Sequence, residues 1–302
     1  MKQLETFLAG FNSPYKIFDN STALSLYKPR EPFSNKGDFG HALMLAGSYG
    51  KMGAAVLAVK ACLQSGVGLI TAHLPSCGYE IMQTALPEAM VSVGEGEFEL
   101  TGFPLHIELF QAAGVGPGIG TNKETAGMLK KFLKAFHKPL VLDADALNII
   151  SKDPELLSSL HPNTIITPHV KEFDRLFGVS THELSRFEKA IEMAIRYKII
   201  IVLKGHYTGV FHPNGNISFN TTGNAGMAKG GSGDALTGII TSLLAQSYTP
   251  ESAASLGVFI HGHAGDIAAS LFSEEAMLPS DLINCLGRAY LELKKNSVGY
   301  AV

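Results

Sequence analysis

The sequence predicts an α/β protein in three layers, a mainly parallel central sheet with helices on both faces. Three observations carry that prediction. Short apolar runs without polar alternation recur along the chain, and such runs belong to strands covered on both faces. Segments with helical spacing alternate with them. Polar or glycine-rich junctions follow one run after another, where an open α/β sheet binds its ligands.

Taken in order, residues 4–11 read as a short helix packing on the body of the protein, and Pro14, Pro29 and Pro32 break any longer element before residue 36. Ala42 to Ala46 is a buried strand ended by Gly47, and Ala54 to Gln64 a helix that stops at Gly66. Strands follow at Gly68 to Leu74, Ala89 to Val93 and Ala112 to Val115, the last running into the turn Gly116 to Gly120. Lys123 to Phe136 is helical. Pro139 to Leu142 and Thr164 to Ile166 are strands ending in Asp143-Ala144-Asp145 and Thr167-Pro168-His169.

Helices near 170–177 and 182–197 lead to the apolar strand Ile199 to Leu203, which ends at Lys204-Gly205. Thr208 to Phe211 and Ile217 to Asn220 flank Pro213-Asn214-Gly215-Asn216, an antiparallel hairpin at one side of the sheet. Helices over 234–246, 250–272 and 279–295 complete the chain. The division expected is an N-terminal extension, residues 1–35, and one domain over 36–298.

Composition narrows the function. Of 302 residues 46% are hydrophobic and 17% charged, with 32 glycines, which suits a large buried core and excludes disorder. A net charge of −3 with scattered Lys and Arg argues against nucleic acid, and no apolar stretch resembles a membrane span. Three cysteines without a CxxC pair suggest neither a disulfide framework nor a zinc site. A cytoplasmic protein is expected, and the low charge content suits a homo-oligomer, a tetramer being one form.

The strongest motif runs from Gly223-Asn224 through Lys229-Gly230-Gly231-Ser232-Gly233-Asp234 into an amphipathic helix. Glycines at 230, 231 and 233 remove side chains, so backbone N–H groups at the helix start can converge on one anion, helped by the helix dipole. Asp234, in the first turn, is placed beside that anion hole to accept a proton from an attacking hydroxyl. A Walker A loop is absent, because Gly50-Lys51 is followed by Met52 and preceded five residues back by Leu45. Gly47-Ser48-Tyr49-Gly50 lacks the dinucleotide-fold glycine spacing.

These segments resemble, in order, the ADP/ATP-dependent NAD(P)H-hydrate dehydratases of ribokinase-like fold. The resemblance spans residues 36–295. It rests on Lys36 to Ala42, Ala46-Gly47-Ser48 with Gly53-Ala54-Ala55, Gly116-Pro117-Gly118, Leu142 to Asn148, Thr167-Pro168-His169 with Glu172, Leu203-Lys204-Gly205, and Thr222 to Gly238. It implies a lyase that repairs nicotinamide cofactor: the (6S) hydrate of NADH or NADPH is phosphorylated by ADP (or ATP) as co-substrate, with Mg²⁺, and loses phosphate.

The family's base then falls on Asp234, which also contacts the hydrate, and the anion hole on Gly231, Ser232 and Gly233. Nucleotide contacts fall on Lys204, Gly205, His206, Tyr207, Thr208 and Gly233. Hydrate contacts fall on Ala42, Gly118 and His169, while Asn224 shapes the site. Asp143 and Asp145 stand as further candidates for Mg²⁺ or substrate, and no metal ligand is assigned. Val170-Lys171 replaces the family's usual Pro-Gly after the histidine and adds a charge there. The length leaves no room for the epimerase domain fused to some members. A vitamin-precursor kinase of the same superfamily is the alternative, since it shares the Gly-Asp anion hole.

Overall fold

The computed structural model describes residues 2–11 and 13–298. Ten strands form one sheet. They are β1 (Lys16–Phe18), β2 (His41–Leu45), β3 (Leu69–Leu74), β4 (Met90–Val93), β5 (Ala112–Val115), β6 (Leu140–Leu142), β7 (Ile165–Ile166), β8 (Ile200–Leu203), β9 (Gly209–Phe211) and β10 (Ile217–Asn220). Their spatial order is β1-β10-β9-β8-β7-β6-β5-β2-β3-β4. Strands β2 to β8 pair in parallel, whereas β9 runs antiparallel to both β8 and β10.

The helices are α1 (Lys2–Phe7), α2 (Asn20–Leu26), α3 (Met52–Gln64), α4 (Tyr79–Ala85), α5 (Lys123–Ala135), α6 (Ala144–Lys152), α7 (Glu155–Ser158), α8 (Val170–Phe177), α9 (Glu183–Tyr197), α10 (Ser232–Ala245), α11 (Pro250–Ala276) and α12 (Pro279–Val298). A kink at Ser273, whose φ is +66°, interrupts α11.

Successive residues of a strand serve opposite faces. Ala42 and Met44 enter a core with α3, α10, α11 and α12, while Leu43 and Leu45 enter a second core with α5, α6, α8 and α9. Helix α10 is buried almost all round, as its apolar sequence requires. It lies so close to α3 that a Cβ on Gly238 would sit 2.1 Å from the carbonyl oxygen of Ala58. That contact fixes the helix whose first turn opens on the site.

The hairpin stands at one side of the sheet as expected, but the outermost strand there is β1. It pairs in parallel with β10, Lys16 opposite Ser218. Leu4, Leu8 and Phe11 are buried, and Phe11 packs edge-on against Phe187 and Phe219. Five elements escaped the sequence pattern: β1, α2, α4, α6 and α7. Among the described residues, no helix is long and apolar enough to cross a membrane.

Candidate active site

A cavity of about 760 Å³ opens where the carboxyl ends of β6, β7 and β8 face the start of α10. Its volume is within the range of small-ligand sites. The turn before α10 uses Gly231 as N-cap in the left-handed region (φ +102°), with no side chain capping the helix. The first amides of α10 therefore have no capping side chain, which is the local geometry that receives an anion. Asn224 shapes the preceding loop. Its amide donates to Asp266 at 2.9 Å, and its oxygen accepts from the Gly226 N–H at 3.0 Å.

Ser232 and Gly233 are the first two helical residues and Asp234 the third. Among the described residues no hydrogen bond or ion pair reaches the Asp234 carboxyl, and the cavity is beside it. Burial pushes its pKa up to about 7, with the neighbouring Asp143 carboxylate adding to the rise. A carboxyl poised there is matched to accepting a proton near neutrality.

Asp143, 1% exposed at the end of β6, organises the floor. One oxygen accepts from the Lys204 ammonium at 2.8 Å, and the other from the Thr237 hydroxyl at 2.8 Å. Thr237 is on α10 one turn beyond Asp234. This chain of contacts ties strand β6, strand β8 and helix α10 at one point, and turns Lys204 toward Gly233. A Cβ on Gly233 would lie 3.1 Å from the Lys204 nitrogen, so glycine leaves the ammonium room beside the anion-binding turn.

His169 caps α8. Its Nδ1 accepts from the N–H groups of Lys171 and Glu172, and Glu172 accepts from the His169 N–H at 2.9 Å. Val170 and Lys171 thus form the first turn of α8. Burial raises the pKa of Glu172, which is 6% exposed, and lowers that of His169. At the other wall His261, held neutral by burial with a pKa of about 4, donates from Nε2 to the Ser232 carbonyl at 2.9 Å.

The cavity thus brings together Asp143, His169, Lys204, Gly205, His206, Thr208, Asn224, Gly231, Ser232, Gly233 and Asp234. Ala42 is not brought there: it is 0% exposed at the start of β2, the end of that strand remote from its carboxyl terminus, with its side chain in the core. Tyr207 does not line the cavity either. It turns to Phe7, ring centroids 5.2 Å apart. Gly118, in the loop after β5, and Asp145, in the first turn of α6, lie outside the cavity lining. Asp145 accepts from the Gly120 N–H at 2.9 Å and pairs with Lys51 at 3.1 Å. Sequence reasoning left Thr237 and His261 unmarked. Thr237 had a signal in its spacing of three from Asp234; His261, inside a long helix, had none.

A family model described as NAD(P)H-hydrate dehydratase matches residues 42–288, most of the chain. The chain belongs to the NAD(P)H-hydrate dehydratase family. An ADP-dependent (S)-NAD(P)H-hydrate dehydratase of Neisseria meningitidis is 38% identical, over 80% of this chain and 81% of that protein. The Staphylococcus aureus protein of the same name is 32% identical over 93% and 99%. A bifunctional NAD(P)H-hydrate repair enzyme of Thermofilum pendens is 36% identical, but this chain spans only 53% of it; the chain is about half the length of such curated relatives.

The crystal structure of the ADP/ATP-dependent NAD(P)H-hydrate dehydratase of Bacillus subtilis, co-crystallised with ATP and Mg²⁺, superposes with a TM-score of 0.80 at 28% identity. The match covers 93% of this chain and all of that one. A ribokinase-like superfamily protein of Enterococcus faecalis gives 0.81 at 27%. The fold of this dehydratase-family chain is therefore ribokinase-like.

Proposed function

We propose that this protein converts the (6S) hydrate of NADH or NADPH back to the reduced cofactor, using ADP as phosphoryl donor and releasing AMP and phosphate. The observation that carries the reading is Asp234. It is a carboxyl poised near neutrality, free of ion pairs among the described residues, in the first turn of a helix whose amides open on the same cavity.

In this reading Asp234 takes the proton from the hydrate's ring hydroxyl as its oxygen attacks the terminal phosphorus of ADP. The bond from that phosphorus to the bridging oxygen breaks, and AMP leaves. Amides of Gly231, Ser232 and Gly233 meet the charge on the transferring phosphoryl group, where aligned donors matter more than covalent help. Lys204 faces the same phosphates, and Gly205, His206 and Thr208 line the nucleotide's side of the cavity. Hydroxide is a poor leaving group and phosphate a good one. The ring nitrogen then expels phosphate, and loss of a neighbouring C–H proton restores the dihydropyridine. His169 and Gly118 contact the hydrate.

Asp143, Glu172 and Asp234 crowd one lysine, an excess of acid that a divalent cation on the phosphates would relieve. Mg²⁺ would enter on the nucleotide phosphates, keeping several waters of its own. Glu172 is the carboxylate that would hold it, and the ion would neutralise phosphate charge. The protein works in the cytoplasm, as a homo-oligomer.

The deciding experiment is incubation of purified hydrate with ADP and protein. AMP, phosphate and reduced cofactor in equal amounts are expected. A stable phosphorylated alcohol instead would make the protein a small-molecule kinase. Replacing Lys204 by alanine is expected to raise KM for ADP at least tenfold with KM for the hydrate little changed, because a charged hydrogen bond to phosphate contributes about 1.5–3 kcal/mol. Equal ADP affinity of variant and parent by calorimetry would refute that role.

A further inference from the structure

A dinucleotide has two bases, and the chemistry at Asp234 accounts for one. The proposed contacts of the hydrate lie along the carboxyl edge of the sheet: His169 follows β7 and Gly118 follows β5. Those strands stand two apart, roughly 10 Å, and β2 is about 5 Å further on in the same direction. The loop after β2 adjoins Gly118 directly. The Ser48 hydroxyl donates to the Gly118 carbonyl at 2.7 Å, and a Cβ on Gly118 would lie 2.9 Å from the Lys51 carbonyl oxygen.

Between Ser48 and Lys51 stands Tyr49, a large ring 72% exposed. Beside it is Phe98, 48% exposed, with ring centroids 5.1 Å apart and planes at 80°. Neither ring is loosely hung. The Tyr49 N–H donates to the Phe98 carbonyl at 2.8 Å. The loop carrying Phe98 is tied down by the N–H groups of Ser76 and Cys77, which donate to the carbonyls of Gly96 and Glu97, each at 3.0 Å. Two aromatic rings held toward solvent by backbone hydrogen bonds lose little entropy when a flat ligand stacks on them. Lys51, two residues beyond Tyr49, has a half-exposed side chain that pairs with Asp145, next to the cavity-lining Ala144.

Resting on the dehydratase reading, we infer that Tyr49 and Phe98, nearly perpendicular to each other, form an aromatic platform for the purine ring of the dinucleotide hydrate, one ring meeting its face and the other its edge, with Lys51 facing the phosphates that join its two halves. The platform contributes affinity for the hydrate and leaves nucleotide use and chemistry untouched.

Tyr49→Ala and Phe98→Ala, both surface changes, test this against Tyr49→Phe. Each alanine is expected to raise KM for the NADH hydrate roughly tenfold, within the span of one base stacked on one aromatic ring, with kcat and KM for ADP unchanged. Tyr49→Phe keeps the parent KM. The hydrate of reduced nicotinamide mononucleotide, which lacks the purine, is expected to be equally poor with parent and variants. Calorimetry with NADH reads the same tenfold loss without turnover. Parent protein inactive on any hydrate would defeat the dehydratase reading, and the NADH titration would still decide the platform. Unchanged NADH affinity overturns the inference. So does an equal loss with the mononucleotide hydrate, or a change confined to the sedimentation coefficient, which would make the pair a contact between copies of the chain.

Discussion

Asp234→Asn is expected to abolish ADP-dependent recovery of reduced-nicotinamide absorbance to within a factor of about 10²–10⁴ below the parent, the contribution of a positioned base. ADP should still bind, because the amides of the α10 turn and Lys204 are unaltered. The parent carries a pH signature that the variant lacks. A base with a pKa of about 7 must be unprotonated to act, so kcat/KM is expected to climb as pH rises through about 7 and level off above it. Asparagine has no such limb. Parent-like turnover in the variant, or a parent profile flat across neutrality, would remove Asp234 from the role of base.

The second large effect is expected at Asp143. Alanine there strips a partner from both the Lys204 ammonium and the Thr237 hydroxyl. Breaking a buried charged pair costs about 3–5 kcal/mol, though the partial exposure of Lys204 favours the lower figure. At roughly 2 °C per kcal/mol for a chain this long, the melting temperature should fall by about 6 °C. Asp143→Asn retains an oxygen for Lys204 and removes the like charge that helps lift the Asp234 pKa. Its stability should be closer to the parent's, and its acid limb should move to lower pH. A limb that stays in place would show that burial alone sets the base. Scanning calorimetry and a pH–rate profile on the two variants separate the contributions.

Those residues mark how far the sequence could be read. Runs such as Ile199 to Leu203 were legible because a strand covered on both faces has no polar alternation. The turn before α10 was legible because glycines clustered at 230, 231 and 233 beside an aspartate at a helix start leave backbone amides free to meet an anion. Asp143 was not. A carboxylate after a strand looks the same whether it caps a helix, holds a cation or receives a lysine. The partners that distinguish these cases stand 61 and 94 residues away along the chain. Ala42 shows the converse limit, since small size suits a substrate contact and a packed strand alike, and the sheet register put it in the core. Strand β1 has three residues, too few for any periodicity.

That three-residue strand bears on how the polypeptide acquires its shape. Its partner β10 is about two hundred residues further along the chain. On a translating ribosome, β1 must wait for about two hundred further residues to emerge before it can pair with β10. Contacts of such range slow folding, because the loop they close is long and the reward comes last. In the interval Leu4, Leu8 and Phe11 have nowhere native to go, which makes this stretch the natural client for a chaperone during synthesis.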